Sequence, residues 1–243
     1  MVAAALIGLW CGHPSGPARA EDLVVDLELV LAVDVSGSID ADEARQQREG
    51  YIAAWADPAV AEAIAANFHR RIAVVYLEWA SGDFQQVVLD WTLIENATDA
   101  RAFAAQLAMA PRLSGRWTSI SAAVDAAVLL FEGNGYAGER RVIDISGDGP
   151  NNRGRPVRDA RDDAVAQGIV INGLPILNDR PQPFDLPTPL ALALDQYYAD
   201  NVIGGPGSFV LPARGFGDFR TAILAKLIRE IAGEHAPGTL ARR

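Results

Sequence analysis

One stretch of ten residues, Leu29 to Ser38, constrains this chain more than any other: LVLAVDVSGS passes from an unbroken apolar run to a cluster of oxygen-bearing side chains. Leu29–Val33 reads as a strand buried on both faces, which calls for a parallel sheet covered on each side by helices. Asp34, Ser36 and Ser38 follow at alternate positions, where the strand ends and a helix begins, and Gly37 lets the backbone turn between the serines. A carboxylate and two hydroxyls at the carboxyl end of a strand make a seat for a hard divalent cation, which prefers oxygen ligands.

The remaining pattern fits such a sheet. Ser38 or Asp40 caps the next helix, with Asp42 and Glu43 in its first turn and Ala44, Tyr51 and Trp55 on its inner side. Asp57-Pro58 starts a second helix whose apolar face runs through Val60, Ile64 and Phe68. Strands follow at Arg71–Trp79 and Gln85–Ile94. The gap Ala80–Phe84 is too short for a helical crossover, so the pair is an antiparallel hairpin. Thr98 and Asp99 open a helix through Met109. Another follows Thr118, with Ile120, Val124, Val128 and Phe131 at helical spacing. Arg140–Ser146 is a fourth strand running into Gly147-Asp148-Gly149. A helix over Pro156–Gln167, a fifth strand over Ile169–Leu177, a short helix over Leu190–Asp200, a last strand near Ser208–Leu211 and a helix over Asp218–Ala232 complete the reading. The prolines of Asn178–Pro189 exclude helix and central strand there. The fold class is therefore α/β: a doubly wound, mostly parallel sheet with one antiparallel edge strand and helices on both faces.

In such sheets ligands bind beyond the carboxyl ends of the strands. Asp34, Ser36, Ser38, Thr118 and Asp148 all fall at that edge. Together they resemble the three-part metal ion-dependent adhesion site of von Willebrand factor A (VWA) domains: Asp34-x-Ser36-x-Ser38, then Thr118 at a helix start, then Asp148-Gly149 after an apolar strand. The resemblance covers roughly residues 24 to 232 and includes the antiparallel edge hairpin. More narrowly, ISGDGPNN, the strand Asn172–Leu177 and the later NVIGGPGSFV resemble an uncharacterised group of bacterial secreted proteins with this fold. The VWA resemblance implies that Ser36 and Ser38 bind the ion through their hydroxyls. Thr118 would bind it directly or through water, and Asp34 and Asp148 would hold coordinating waters or, for one of them, the ion itself. It implies Mg2+, with Mn2+ or Ca2+ as substitutes, and a protein or peptide partner whose exposed Asp or Glu completes the shell. Trp117, next to Thr118, is placed to line or crowd that ligand surface.

Composition narrows the function further. A chain of 243 residues has material for one good-sized core, and residues 21–243 read as a single domain. The net charge of −10, with no basic stripe, excludes nucleic acid as a partner. Residues 1–20 resemble a secretory signal ending in Ala18-Arg19-Ala20, which places the domain in the periplasm or outside the cell. No segment has the roughly 20 apolar residues a membrane span needs. Cys11 is the only cysteine, so residues 21–243 can hold neither a disulfide nor a thiolate metal site.

An enzyme is the rival class. Past residue 20 only His69 and His235 are available as bases, too few for a serine hydrolase or a zinc hydrolase, and neither falls at the strand edge in question. A phosphohydrolase using Asp34 as nucleophile would want a second acid two residues on and a nearby lysine. Ser36 stands at that position, and the sole lysine is Lys226 in the last helix. The other alternative is a structural interaction domain that works without metal. Trp55, Trp79 and Trp91 read as core or sheet-face residues, and Glu78 and Asp144, inside strands, call for an arginine or polar edge as partner.

Overall fold

The computed structural model describes residues 22–177 and 190–233. The signal-like segment with Cys11, the proline-rich loop 178–189 and His235 lie outside the described residues. The strand predicted first, β2 (Leu27–Asp34), is the middle of a five-stranded sheet, and all eight of its residues are buried. On one side β3 (Ile72–Trp79) runs parallel to it, and beyond that β4 (Gln85–Ile94) runs antiparallel at the edge. On the other side lie β6 (Arg141–Gly147) and then β7 (Ile169–Pro175), both parallel. The hairpin read from the short gap after Trp79 is thus the antiparallel edge of an otherwise parallel sheet.

Side chains alternate across a strand, so β2 supplies two cores at once. Leu27, Leu29, Leu31 and Val33 pack with Tyr51, Trp55, Phe103 and Phe219 under α1 (Ala41–Trp55), α2 (Pro58–Ala65), α3 (Ala97–Met109) and α7 (Phe219–Ala232). Val30 and Ala32 pack with Ile120, Val124, Ala160 and Tyr198 under α4 (Ile120–Leu130), α5 (Val157–Ala166) and the segment formed by α6 (Leu190–Tyr197) and a π-helical turn, Tyr198–Val202. Trp55 and Trp79 are fully buried. Trp91 is half-buried, its indole N–H donating to the Leu130 carbonyl. The predicted inner stripe of α7, Phe219, Ile223, Leu227 and Ile231, is buried throughout.

Several boundaries differ from the sequence reading, each for a physical reason. Of the two caps read for α1, Asp40 is the one used, completing a reciprocal box with Glu43. The cap of α3 is Asn96, whose side chain accepts from the N–H groups of Thr98 and Asp99, so the helix starts earlier than those residues suggest. Helix α2 ends at Ala65, which carries Phe68 off the inner face and leaves it 90% exposed. The strand predicted near Ser208–Leu211 is instead an irregular segment joined to β7 by isolated bridges. Pro212 has no N–H to give, and Gly205 and Gly207 turn with positive φ just before it. Two three-residue strands were not foreseen: β1 (Leu23–Val25) pairs in parallel with β5 (Tyr136–Gly138), apart from the main sheet.

Buried charges find partners as the reading required, with one change of identity. Glu78 pairs with Arg48 of α1. Asp144 lies on the α7 side of β6 and meets Lys226, a lysine and not an arginine, at 2.6 Å. Lys226 also contacts Glu230 at 2.5 Å, and Asn172 donates to the same Glu230 oxygen at 3.0 Å.

Candidate metal centre

In the parallel pair β2 and β6, Val33 stands opposite Ser146, so Asp34 and the Gly147-Asp148 turn leave adjacent strands side by side. The chain winds outward from β2 to β3 and β4, then returns to β6 on the other flank, which makes the crevice between β2 and β6 the switch point of the sheet. The Val35 N–H donates to the Trp79 carbonyl, and the Gly115 N–H donates to the Val35 carbonyl, both at 2.9 Å. Those bonds draw the loop before Thr118 over the end of β2. Gly115 has to be glycine there, because a Cβ would lie 2.3 Å from that of Ala80.

All five sequence-predicted residues meet at this crevice. The Ser36 N–H donates to Asp34 Oδ1 at 2.7 Å, and the hydroxyls of Ser36 and Ser38 lie 3.2 Å apart. Ser38 donates to Asp148 Oδ1 at 2.6 Å, and Thr118 donates to Ser36 Oγ at 3.4 Å. Asp34, Ser36, Thr118 and Asp148 are buried, while Ser38 is half-buried beside exposed Gly37. The cluster is therefore open on the Gly37–Ser38 side.

Its electrostatics are set by two buried carboxylates close together. Burial, then the nearby charge of Asp148, raises the Asp34 carboxyl well above the ordinary range, against the lowering effect of its Ser36 hydrogen bonds. Asp34 Oδ2 is buried and has no hydrogen-bond partner among the described residues. A divalent cation would relieve the repulsion between the two carboxylates. The oxygen-only donor set suits a hard ion, and the hydroxyl spacing fits it: cis ligands on an octahedron of about 2.1 Å bonds sit about 3 Å apart. Among the described residues there is no group of three or more His, Cys, Asp and Glu side chains able to hold a metal. Zinc chemistry of the His/Cys kind is thus not what this cluster is built for.

Two sets of supporting residues escaped the sequence reading. Tyr198 packs against the back of the site: a Cβ on Gly147 would lie 2.8 Å from the Tyr198 hydroxyl and 2.9 Å from Asp34 Oδ2. Its own hydroxyl is buried without a hydrogen-bond partner among the described residues, and burial plus the charges of Asp34 and Asp148 push its pKa well up. The second set is Asn151 and Asn152. The Thr118 N–H donates to Asn152 Oδ1 (2.9 Å), and the Asn152 N–H returns a bond to the Thr118 carbonyl (2.8 Å). The Ser121 N–H donates to Asn151 Oδ1. Their signal was present as the asparagine pair after Pro150, but only the folded chain brings it to Thr118.

A family model described as "Protein of unknown function (DUF1194)" matches residues 24–235. The chain belongs to this family. No curated protein matches the sequence. Solved structures do resemble this DUF1194 chain. Proximal thread matrix protein 1 from the mussel byssus, with a zinc-occupied MIDAS motif, superposes with a TM-score of 0.57 at 16% identity over 88% of this chain and 50% of that one. A von Willebrand factor type A protein from Catenulispora acidiphila gives 0.54 at 12% identity, over 86% and 42%. The pilus adhesin SpaC from Lactobacillus rhamnosus GG gives 0.61 at 14%, over 88% and 32%. The chain spans half of the first of these proteins and less of the other two. Identities this low establish the fold, and the fold of the DUF1194 chain is that of VWA-type domains.

Proposed function

We propose that this DUF1194 protein is a secreted or periplasmic, non-enzymatic VWA-type module that binds a protein or peptide through a divalent cation, Mg2+ or a similar ion. The observation that carries this reading is the convergence of three hydroxyls with the Asp34 and Asp148 carboxylates at the carboxyl end of β2. Ser36 and Ser38 hold the ion directly, Thr118 directly or through water, and Asp34 and Asp148 hold its waters or, for one of them, the ion. When bound, the ion supplies an electrophilic point that attracts a carboxylate, because hydroxyl ligands leave most of its charge unneutralised. An Asp or Glu side chain of the partner completes the shell. The likeness to an adhesin and to a byssal matrix protein supports an interaction role.

Placement of the candidate catalytic groups weighs against the enzyme readings, hydrolase through His69 and phosphohydrolase through Lys226. His69 sits at the amino end of β3, opposite the crevice, where its N–H donates to Asp26. Lys226 is fully buried against Asp144 and Glu230 and is committed there.

The test is calorimetric titration of the chain with Mg2+ and Mn2+, beside Asp34→Ala and Ser36→Ala. Saturable uptake by the parent and its loss in both variants is the expected result. Uptake that persists in both variants, or no uptake even with acidic peptides present, would overturn the reading in favour of a metal-free interaction domain.

A further inference from the structure

Trp117, immediately before Thr118, has φ +63°, a conformation that bulky side chains rarely adopt. Its indole is 42% exposed, and the Arg153 guanidinium carbon lies 4.0 Å from the ring centroid, in stacking contact. The strained residue is held by the two residues that follow it. Asn152 clamps the Thr118 backbone with its side-chain oxygen and its own N–H, and the Ser119 hydroxyl donates to the Arg153 carbonyl at 3.1 Å. The same clamp that fixes the Thr118 hydroxyl therefore fixes the Trp117–Arg153 stack beside the seat.

Arg153 differs from its near neighbour Arg155, which is engaged by Asp125 and Asp163. The Arg153 guanidinium is exposed and pairs with no carboxylate among the described residues, although the chain carries 31 acidic residues. Arg112 and Arg116, in the loop leading to Trp117, are likewise exposed and unpaired among the described residues. A chain of net charge −10 would repel an acidic partner at long range. These three exposed cations stand in the two segments that the Thr118–Asn152 bonds bring together, where an acidic segment would arrive.

We infer that the Trp117–Arg153 pair is a second recognition point beside the metal seat, which takes a second carboxylate of an acidic peptide segment whose first carboxylate binds the ion. Stacking covers one face of the guanidinium and leaves its N–H edge to grip a carboxylate in bidentate fashion. The partner is thus a protein segment with two acidic side chains close in sequence. This inference rests on the metal-dependent reading above, and it adds a specificity-determining residue outside the five oxygen donors.

The probes are acetylated, amidated peptides with two glutamates separated by zero to three glycines, which steps their spacing by about 3.5 Å per residue. Each is compared with its Glu/Gln counterpart on the full chain at saturating Mn2+. At least one Glu pair is expected to bind about tenfold more tightly than its counterpart, as a charge-assisted bidentate contact provides. Arg153→Gln removes that preference while metal affinity and melting temperature stay as in the parent. Trp117→Asn, which tolerates the left-handed backbone, weakens the preference without unfolding the loop. Metal uptake with no preference for any Glu pair, or a preference that survives Arg153→Gln, overturns this inference alone. Failure of the parent to take up metal overturns it together with the reading on which it rests.

Discussion

Lys226→Met is the substitution that most directly tests how this fold tolerates charge in its core. Lys226, Asp144 and Glu230 are fully or almost fully buried, and the ammonium lies 2.6 Å and 2.5 Å from the two carboxylates. Methionine fills similar space but leaves both acids without their cation. Breaking a buried pair from one side costs about 3–5 kcal/mol, because an uncompensated charge stays behind. For a domain of this size that corresponds to a fall of roughly 6–20 °C in melting temperature. The loss depends on pH, with a sign that can be worked out. Burial, then the charge of Asp144, raises Glu230 from 4.5 to about 7, against the opposing effects of Lys226 and Asn172. Burial raises Asp144 in the same way. A folded carboxyl whose pKa lies above its unfolded value binds more protons in the native state, so its contribution to stability falls as pH climbs between the two values. Without Lys226 both folded values rise further. The gap between parent and variant should then be smaller near pH 5, below the folded value of Glu230, and larger near pH 8, above it. Urea denaturation at the two pH values measures it, and adding Asp144→Asn and Glu230→Gln should restore most of the loss. A gap of equal size at both pH values, or none at pH 8, would show that the triad is not an electrostatic unit.

Three further outcomes separate site from scaffold. Gly147→Ala should cut metal affinity more than tenfold by calorimetry while the fold survives, since the new methyl meets Asp34 Oδ2 and the Tyr198 hydroxyl inside 3 Å. Arg48→Met should cost about 3–5 kcal/mol in chemical denaturation, because Glu78 is left buried and unpaired. The carbonyls of Leu107 and Ala110 also lose their donor, so faster amide exchange is expected through residues 112–117. Asn96→Ala should cost about 1 kcal/mol through the lost cap of α3 and leave metal uptake unchanged, as a control far from the crevice.

What was legible in the sequence was whatever is encoded locally. The β2 run, the Asp57-Pro58 cap, the stripe of α7 and the short gap after Trp79 each state their structure within a few residues, and each is found where it was read. The misreadings lie where distant chain decides. The β1–β5 pair joins segments more than a hundred residues apart and is only three residues long, so no periodicity announces it. Arg48 and Lys226 sit on inner helix faces where apolar residues are the rule, and only their buried acidic partners on β3 and β6 explain them. Ser208–Leu211 has a strand-like pattern, but bonding to β7 is broken by Pro212 and the turns at Gly205 and Gly207.

The site divides along the same line. Its five oxygen-bearing candidates were named from two strand ends, one helix start and the resemblance to the VWA motif, and the fold brings them together at one crevice. Their geometry depends on residues that contribute space or backbone bonds and no ligand. Gly147 admits Asp34 and Tyr198 to the same small volume, Gly115 lets the Thr118 loop close onto Ala80, and Asn152 holds the Thr118 backbone with its side-chain oxygen and its own N–H. The strained φ of Trp117 belongs with them. A residue kept in a costly conformation by hydrogen bonds on the two residues that follow it is doing something that relaxed backbone would not allow. Here the result is an indole on the rim of the seat with an arginine stacked against it. If Trp117→Asn proved more stable than the parent while losing its preference for paired glutamates, the strain would be accounted for as the cost of presenting that stack, and partner choice would be located one residue away from the ion.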